Sequence, residues 1–430
     1  MSLPVVNIGL LGFGTVGCGV IRLLQQSGEL LQRRTGLDLR LRRVADLDLT
    51  TPRPVQVDPS LLVADANVVL DDPEIQIIIE VVGGVTVARD FVLRAIANNK
   101  SVVTSNKELI AKHGGEIMDA AGRAGVDIFL EGSVGGGIPL IGPLKTGLVG
   151  NRFSRIMGIV NGTTNYILTA MTEDRREFDD VLREAQQKGY AEADPTADVD
   201  GWDSLYKIVI LATLAYGQRF SVDQVARQGI RHVTSRDIEY AENLNYTIKL
   251  LAKAEEIGGT VQLEVHPCLV PKAHPLAGVG GVYNAIMVEG DAVGRVMFYG
   301  RGAGSDPTGS AVVADVVEAA RNVVHGSRGR IPCRCSAPAN VRPVAEIRSK
   351  YCVRMNVADR PKVLAQIAGV FGDNEVSLAS VVQLESTGDS AEIVLVTHEV
   401  TQKQVDLSLC QIGELGCVSE VCSVLHVEEE

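Results

Sequence analysis

Residues 8–17 read Ile-Gly-Leu-Leu-Gly-Phe-Gly-Thr-Val-Gly and carry the sharpest chemical signal in the chain. A short apolar run leads into Gly12-x-Gly14-x-x-Gly17 and then into the helix-compatible run Val20-Ile21-Arg22-Leu23-Leu24. A strand is expected to end here, the chain to turn, and a helix to begin. Gly12 allows the turn, Gly14 leaves room for a pyrophosphate against the backbone, and Gly17 lets the helix pack close to the sheet. The helix N-terminus then offers free N–H groups and a positive dipole end to phosphate. Phe13, Thr15 and Val16 complete the loop, and the chemistry predicted is dinucleotide binding. A second strand is expected over 39–45, with Asp46 at its end, where a carboxylate accepts a hydrogen bond from a ribose hydroxyl. Ala45 and Asp48 beside it suit a free 2′-hydroxyl, whereas Arg53, with Arg42 and Arg43 upstream, brings a 2′-phosphate within reach. That balance favours NAD over NADP.

The elements that would position this loop follow from the hydrophobic pattern. Residues 75–82 form an apolar run interrupted by Gln76 and Glu80, as expected of a buried parallel strand. Helices are expected over 91–98 and 110–124, and strands over 101–104 and 126–130. Such alternation predicts an α/β fold, a Rossmann-type doubly wound sheet, over residues 1–131. Past Glu131 the alternation is lost. Helices are expected over 178–187, 204–216 and 238–256, giving an α+β catalytic and dimerisation domain over 132–327. Its last helix, over 312–324, is expected to return to the first domain. Residues 328–350 read as a linker, since 328–343 holds three prolines and two cysteines without periodicity. From 351 to 430 the expected order is strand 351–357, helix 363–372, strands 376–383 and 391–398, helix 402–412 and strand 418–427. That is a βαββαβ ferredoxin-like unit.

Bulk properties narrow the classes. The chain has 430 residues and a formal net charge of −12, which argues against a nucleic-acid or anionic-membrane surface. No apolar run reaches transmembrane length, and residues 1–4 lack a charged leader. Eight cysteines in so long a chain are read as reduced cytoplasmic thiols, and Cys333-x-Cys335 as incidental. Of seven histidines none is an obvious catalyst; His113 and His274 are expected to be structural, and Trp202 to pack. Asp198-x-Asp200-Gly201 lacks the ligand pattern and closing Glu of a calcium loop.

A longer series of motifs then appears in order. It comprises Val103-Thr104-Ser105-Asn106-Lys107, Glu131-Gly132-Ser133-Val134-Gly135-Gly136-Gly137-Ile138-Pro139 and Asn161-Gly162-Thr163-Thr164-Asn165. Gly189-Tyr190-Ala191-Glu192-Ala193-Asp194-Pro195, Asp203-x-x-x-Lys207, His274-Pro275-Leu276-Ala277 and Gly300-x-Gly302-Ala303-Gly304 follow. Together they closely resemble homoserine dehydrogenase over roughly the first 325 residues, and the terminal unit is similar to the ACT domain of longer members.

The resemblance implies interconversion of L-aspartate 4-semialdehyde and L-homoserine with NAD(P)(H), in threonine, methionine and isoleucine biosynthesis. An aldehyde becoming an alkoxide needs a proton donor and positive charge close by. Lys207 and Lys107 match the family's two active-site lysines, Lys207 as general acid and Lys107 for charge stabilisation, with Asp203 beside them. Glu192 and Asp203 match its substrate-binding acids, and Gly162, Thr163 and Tyr190 would line the same pocket. Thr104, Ser105, Lys107, Gly189 and Gly302 join the cofactor set. Glu131, Val134, Gly136 and Ile138 would hold a structural monovalent cation, sodium by preference, mostly through backbone carbonyls. Self-association to a dimer or tetramer and threonine as effector of the ACT-like unit are also implied. The unit departs from the family at Lys362, where glycine is usual, so weak or absent threonine inhibition is expected. Two alternatives stay open: a non-catalytic nucleotide and amino-acid sensor, and another Rossmann oxidoreductase of amino-acid metabolism. An aldehyde-oxidising member of the latter class would need a cysteine nucleophile beside a base, and no motif here supplies one.

Overall fold

The computed structural model describes residues 3–329 and 335–429. The chain forms two compact units, one from residues 1–156, 206–222 and 284–339, the other from residues 157–205, 223–283 and 340–430.

The first unit is built on six strands, β1 (Val5–Leu11), β2 (Asp38–Ala45), β3 (Leu62–Val63), β4 (Ile77–Glu80), β5 (Ser101–Thr104) and β6 (Ile128–Phe129). They are parallel, in the order β3-β2-β1-β4-β5-β6. Ile77, Ile78 and Ile79 are wholly buried, as a parallel strand covered on both faces requires. The expected doubly wound sheet is therefore present, and its order reverses between β1 and β4, the point at which such sheets bind ligands. The last helix of the unit runs over Ser305–Val324. Its Val312, Val313, Val316, Ala319 and Ala320 share one core with Val6, Ile8, Leu10 and Ile79 of the parallel sheet. Glycines let it meet the helix Thr15–Gln26 closely. A Cβ on Gly19 would lie 2.1 Å from the Ser305 carbonyl oxygen, and one on Gly309 would lie 2.8 Å from the Gly19 carbonyl carbon.

In the second unit two long strands, Tyr246–Ile257 and Thr260–Pro271, pair antiparallel along their whole length. This corrects the helix expected over 238–256, which stops at Asn243. The segment is rich in the helix formers Leu, Ala, Lys and Glu. Gly258 and Gly259, both at positive φ, close a tight turn after it, and pairing with the partner strand outweighs local propensity. The βαββαβ order holds: strands Arg348–Ala358, Leu378–Thr387, Ser390–Thr397 and Val418–Val427, with helices Val363–Asp373 and Gln402–Gly413. Tyr351, Val353, Met355, Ile367, Phe371, Leu395 and Ile412 form its core. This unit is not an isolated appendage. Val418–Val427 runs parallel to Thr260–Pro271, with Cys268 opposite His426 and Leu269 opposite Val427. The sheet thus continues from Tyr246–Ile257 through Thr260–Pro271, Val418–Val427, Arg348–Ala358 and Ser390–Thr397 to Leu378–Thr387.

The stretch 328–350, expected as a linker, is tied down where it is described. The Asn340 carbonyl accepts from the Val261 N–H at 2.8 Å, and the Arg342 N–H donates to the Val261 carbonyl at 2.9 Å. Cys333 lies outside the described residues. No helix among the described residues is long and apolar enough to cross a membrane.

Candidate functional site

The glycine loop has the division of labour its spacing predicts. Gly12 follows β1 at φ +100°, and a Cβ there would lie 2.6 Å from the Val81 carbonyl oxygen. A Cβ on Gly17 would lie 2.2 Å from the Gly12 carbonyl oxygen, whereas Gly14 has nothing within 4 Å. Two glycines are therefore spent on close packing, and the third leaves open space ahead of the helix that begins at Thr15, with Val16 in its first turn. That cradle fits a pyrophosphate. Asp46 is locked beside the loop: its carboxylate accepts from the Phe13 N–H at 2.6 Å and the Asp48 N–H at 2.8 Å. Arg53 stands by the same group, 3.8 Å from Asp46 and 3.4 Å from Asp48, with its guanidinium 5.6 Å from the centre of the Phe13 ring.

On the far side of the reversal point, Thr104 ends β5 and its hydroxyl donates to Glu80 at 2.7 Å. Glu80, fully buried, also accepts from the Val82 N–H at 3.0 Å, and burial pushes its carboxyl above the usual range. The Asn106 N–H donates to Thr104 Oγ1 at 3.0 Å, and the Asn106 amide to the Gly84 carbonyl at 2.7 Å. Asn106 also caps the helix Lys107–Ala124 by accepting from the Leu109 N–H. Ser105 and Lys107 are thus held at a helix start by a lattice that runs back to Glu80. In the sequence Glu80 reads only as an interruption in an apolar strand. A charged residue there was itself the signal, because a fully buried carboxylate demands partners.

Lys207 is buried in the first unit at 6% exposure, on the helix Trp202–Tyr216. Asp203, at the start of that helix and 3% exposed, belongs to the second unit. Asn161 caps the helix Gly162–Asp174 and organises the carboxylates of the second unit. Its amide nitrogen donates to Asp198 at 2.7 Å and to Asp203 at 2.8 Å, while its amide oxygen accepts from the Thr164 N–H at 2.8 Å. In the sequence Asn161 shows no role of its own, because the carboxylates it joins lie 37 and 42 residues further on. The Thr163 hydroxyl donates to the Tyr190 carbonyl at 2.7 Å, which brings the start of the helix Gly162–Asp174 beside Tyr190. Gly189, Tyr190 and Glu192 lie on an exposed loop that Gln186 holds through the Glu192 and Ala193 carbonyls.

The segment expected to hold a cation is buried in the first unit. Gly135 and Gly136 are at positive φ, and a Cβ on Gly136 would lie 2.4 Å from the Gly302 carbonyl oxygen. The Glu131 carboxylate accepts from the N–H groups of Leu140, Ile141 and Gly142 at 2.5–2.7 Å. With its side chain so engaged, Glu131 would serve a cation through its main chain, in line with a site built mostly of carbonyls. Elsewhere among the described residues, Glu264, His266 and His426 form a group of potential metal ligands in the second unit. Their imidazoles are stacked, with centroids 3.9 Å apart and planes 17° from parallel. Ring lone pairs lie in the ring plane, so these two do not converge on one ion. Burial pushes His266 down to about 3 and His426 well below its ordinary value.

A parallel sheet with this glycine loop and a carboxylate at the end of its second strand defines the chain as an NAD(P)-dependent oxidoreductase of the doubly wound class. Family models agree: the homoserine dehydrogenase NAD-binding domain matches residues 12–131, the homoserine dehydrogenase domain 139–317 and the ACT domain 353–413. Homoserine dehydrogenase of Synechocystis is 45% identical over 98% of this chain and 99% of its own length. The structure of a homoserine dehydrogenase from Thiobacillus denitrificans superposes with a TM-score of 0.93 at 40% identity, covering 99% of this chain and 98% of that one. A hyperthermophilic archaeal homoserine dehydrogenase, in complex with NADPH, matches 74% of this chain and 98% of its own at 29% identity and a TM-score of 0.62. The chain belongs to the homoserine dehydrogenase family and interconverts L-aspartate 4-semialdehyde and L-homoserine.

Proposed function

We propose that Lys207 is the general acid that protonates the alkoxide formed from the aldehyde, and that Lys107 stabilises the developing negative charge. The nicotinamide, when bound, supplies the hydride in the reductive direction. In homoserine oxidation Lys207 takes the hydroxyl proton instead. Asp203 and Glu192 bind the substrate ammonium, with Gly162, Thr163 and Tyr190 around them. The observation that carries this reading is the Asn161 fork. It holds a nearly fully buried carboxylate, Asp203, one helical turn in sequence from a nearly fully buried lysine, Lys207. Buried groups of opposite charge at this spacing cost more to retain than a surface pair, which supports a chemical role.

Gly12, Phe13, Gly14, Thr15, Val16, Gly17, Asp46, Thr104, Ser105, Lys107, Gly189 and Gly302 make up the cofactor set. NAD serves at least as well as NADP, because Asp46 and Asp48 oppose a dianionic phosphate. Arg53 is the group that admits NADP. Glu131, Val134, Gly136 and Ile138 would hold a monovalent cation, sodium by preference and mostly through main-chain carbonyls, and the ion would serve structure and not chemistry. The enzyme works in the cytoplasm, in the synthesis of threonine, methionine and isoleucine, as a dimer or tetramer. Threonine acts weakly or not at all on the ACT unit. Steady-state kinetics of L-homoserine oxidation with NAD and NADP test the reading. Turnover with either cofactor supports it, and no turnover with both rejects it. Arg53→Ala is expected to depress kcat/KM for NADP and spare NAD.

A further inference from the structure

The second unit grips the acidic turn before Asp203 from its outer side. Residues Ala226–Arg227 pair in parallel with Thr260–Pro271, Ala226 opposite Glu264 and Arg227 opposite Val265. The chain then runs along the turn, with the Gln228 N–H donating to the Val265 carbonyl and the Ile230 N–H to the Val199 carbonyl, both at 2.8 Å. Gly229 lies so close that a Cβ there would be 2.2 Å from the Val199 carbonyl oxygen. The Arg227 guanidinium stacks 3.7 Å from the centre of the Trp202 ring and donates to the Asp200 carbonyl. Arg231 meets the Asp200 carboxylate at 2.5 Å and donates to the Thr196 hydroxyl at 3.2 Å. Asp200 is therefore held by its main chain and by its side chain, through two different arginines.

Partly exposed ion pairs of this kind contribute little to stability. Their effect here is geometric. The turn Asp198–Asp203 is fixed from outside by Arg227 and Arg231 and from inside by Asn161, which binds both its ends. Gly201, at φ +82°, lets the chain reverse between Asp200 and Trp202, and a Cβ there would lie 3.2 Å from Val265 and 3.5 Å from the Arg227 side chain, so the turn is packed against the segment that carries Arg227.

We propose that Arg227 and Arg231 are positioning residues for the homoserine-side carboxylate Asp203, acting through Asp200 and Trp202. The inference rests on the assignment of Asp203 to the substrate ammonium. Neither arginine is given a part in the chemistry. Each sets where the carboxylate stands, and a misplacement of about 1 Å in such a contact is enough to cost catalysis or binding.

The test is steady-state kinetics on Arg227→Ala, Arg231→Ala, Arg227→Lys and Asp203→Asn in the full-length enzyme, with melting temperatures measured alongside. The two alanine variants are expected to raise KM for L-homoserine about tenfold, with KM for the cofactor changed by less than about twofold. Arg227→Lys keeps the charge but loses the flat stack on Trp202, so it is expected to fall between wild type and Arg227→Ala. Arg231 is 39% exposed, and its removal leaves the core closed, so its effect reads positioning and not unfolding. The proposal is overturned if both alanine variants keep a wild-type homoserine KM while Asp203→Asn loses substrate binding. It is overturned too if homoserine and cofactor KM rise together with a drop in melting temperature, the mark of a merely structural role. If Asp203→Asn itself binds homoserine normally, the site assignment falls and the positioning role with it.

Discussion

Single residues decide both the chemistry and its pH behaviour. Lys207→Ala is expected to lower kcat about 100-fold or more, because general acid–base catalysis contributes on that scale. Cofactor affinity should be unchanged, and equilibrium NAD binding measured beside turnover checks both halves. Lys249 gives a second handle. It is 4% exposed and donates to the Val279 carbonyl at 2.7 Å and to Asn165 at 3.2 Å. Burial pulls it down to about 8, against a smaller upward pull from Glu173. Between that value and its unfolded value of 10.5 the unfolded chain carries a proton that the native chain does not. Stability contributed by this group therefore rises with pH across that window, by up to about 1.4 kcal/mol per pH unit, and is level below about 8, where both states carry the proton. Lys249→Met should remove that slope, as denaturant melts at pH values across the window will show. The residues of the glycine loop were legible in the sequence because their constraints are local. Glu80 and Asn161 were not, because their partners lie in other segments that only folding brings near.

Elements show where local preference yields to neighbours. Lys362 takes the left-handed conformation, φ +75°, as the N-cap of the helix Val363–Asp373, with its side chain exposed. A side chain costs energy there that glycine does not. Lys362→Gly is therefore expected to stabilise the chain by about 0.5–1 kcal/mol, read from the midpoint of urea unfolding. The helix Ser235–Asn243 shows a stronger tie. Thr234 and Asp237 form a capping box at its start, and Asp237 also receives Arg354 at 2.8 Å. Arg354 reaches Glu392 at 2.7 Å, and Glu392 in turn accepts from Arg236 and Tyr240. Arg354 thus sits between two carboxylates of low exposure. Arg354→Met should destabilise the protein by about 3 kcal/mol, since it leaves buried charge without its partner; melting temperature and urea midpoint measure it. The periodicity of residues 238–256 pointed to a helix, and the twelve-residue pairing after Gly258-Gly259 made most of it a strand. Helix propensity spans only tenths of a kcal/mol per residue, so a full ladder of cross-strand contacts overrides it.

At the scale of the whole molecule, the ACT-like unit is a continuation of the substrate-side sheet. Its strand Val418–Val427 covers Thr260–Pro271, and the Glu428 N–H donates to the Leu269 carbonyl at 2.8 Å. A chain ending at Glu346 would strip that pairing, leave Asp237 without Arg354, and open the packing over His266. It is expected to melt at a lower temperature and to lose activity together with fold, with calorimetry and turnover of the two lengths as the check. One edge of the βαββαβ unit is occupied within the chain, and its other edge is the strand Leu378–Thr387. By itself the sequence determined the dinucleotide loop, the alternation that makes a parallel sheet, the βαββαβ order and the family. Each of these is written in short-range spacing and in runs of apolar residues, whose physics needs few neighbours. Only the tertiary structure decided that residues 246–257 are a strand, that 340–342 bind the edge of Thr260–Pro271, and that Asn161 joins Asp198 to Asp203. Those outcomes depend on partners elsewhere in the chain, Asp203 lying 42 residues from Asn161 and Asn340 pairing with the distant Val261, and the hydrogen bonds and buried charges that fix them have no counterpart in local propensity.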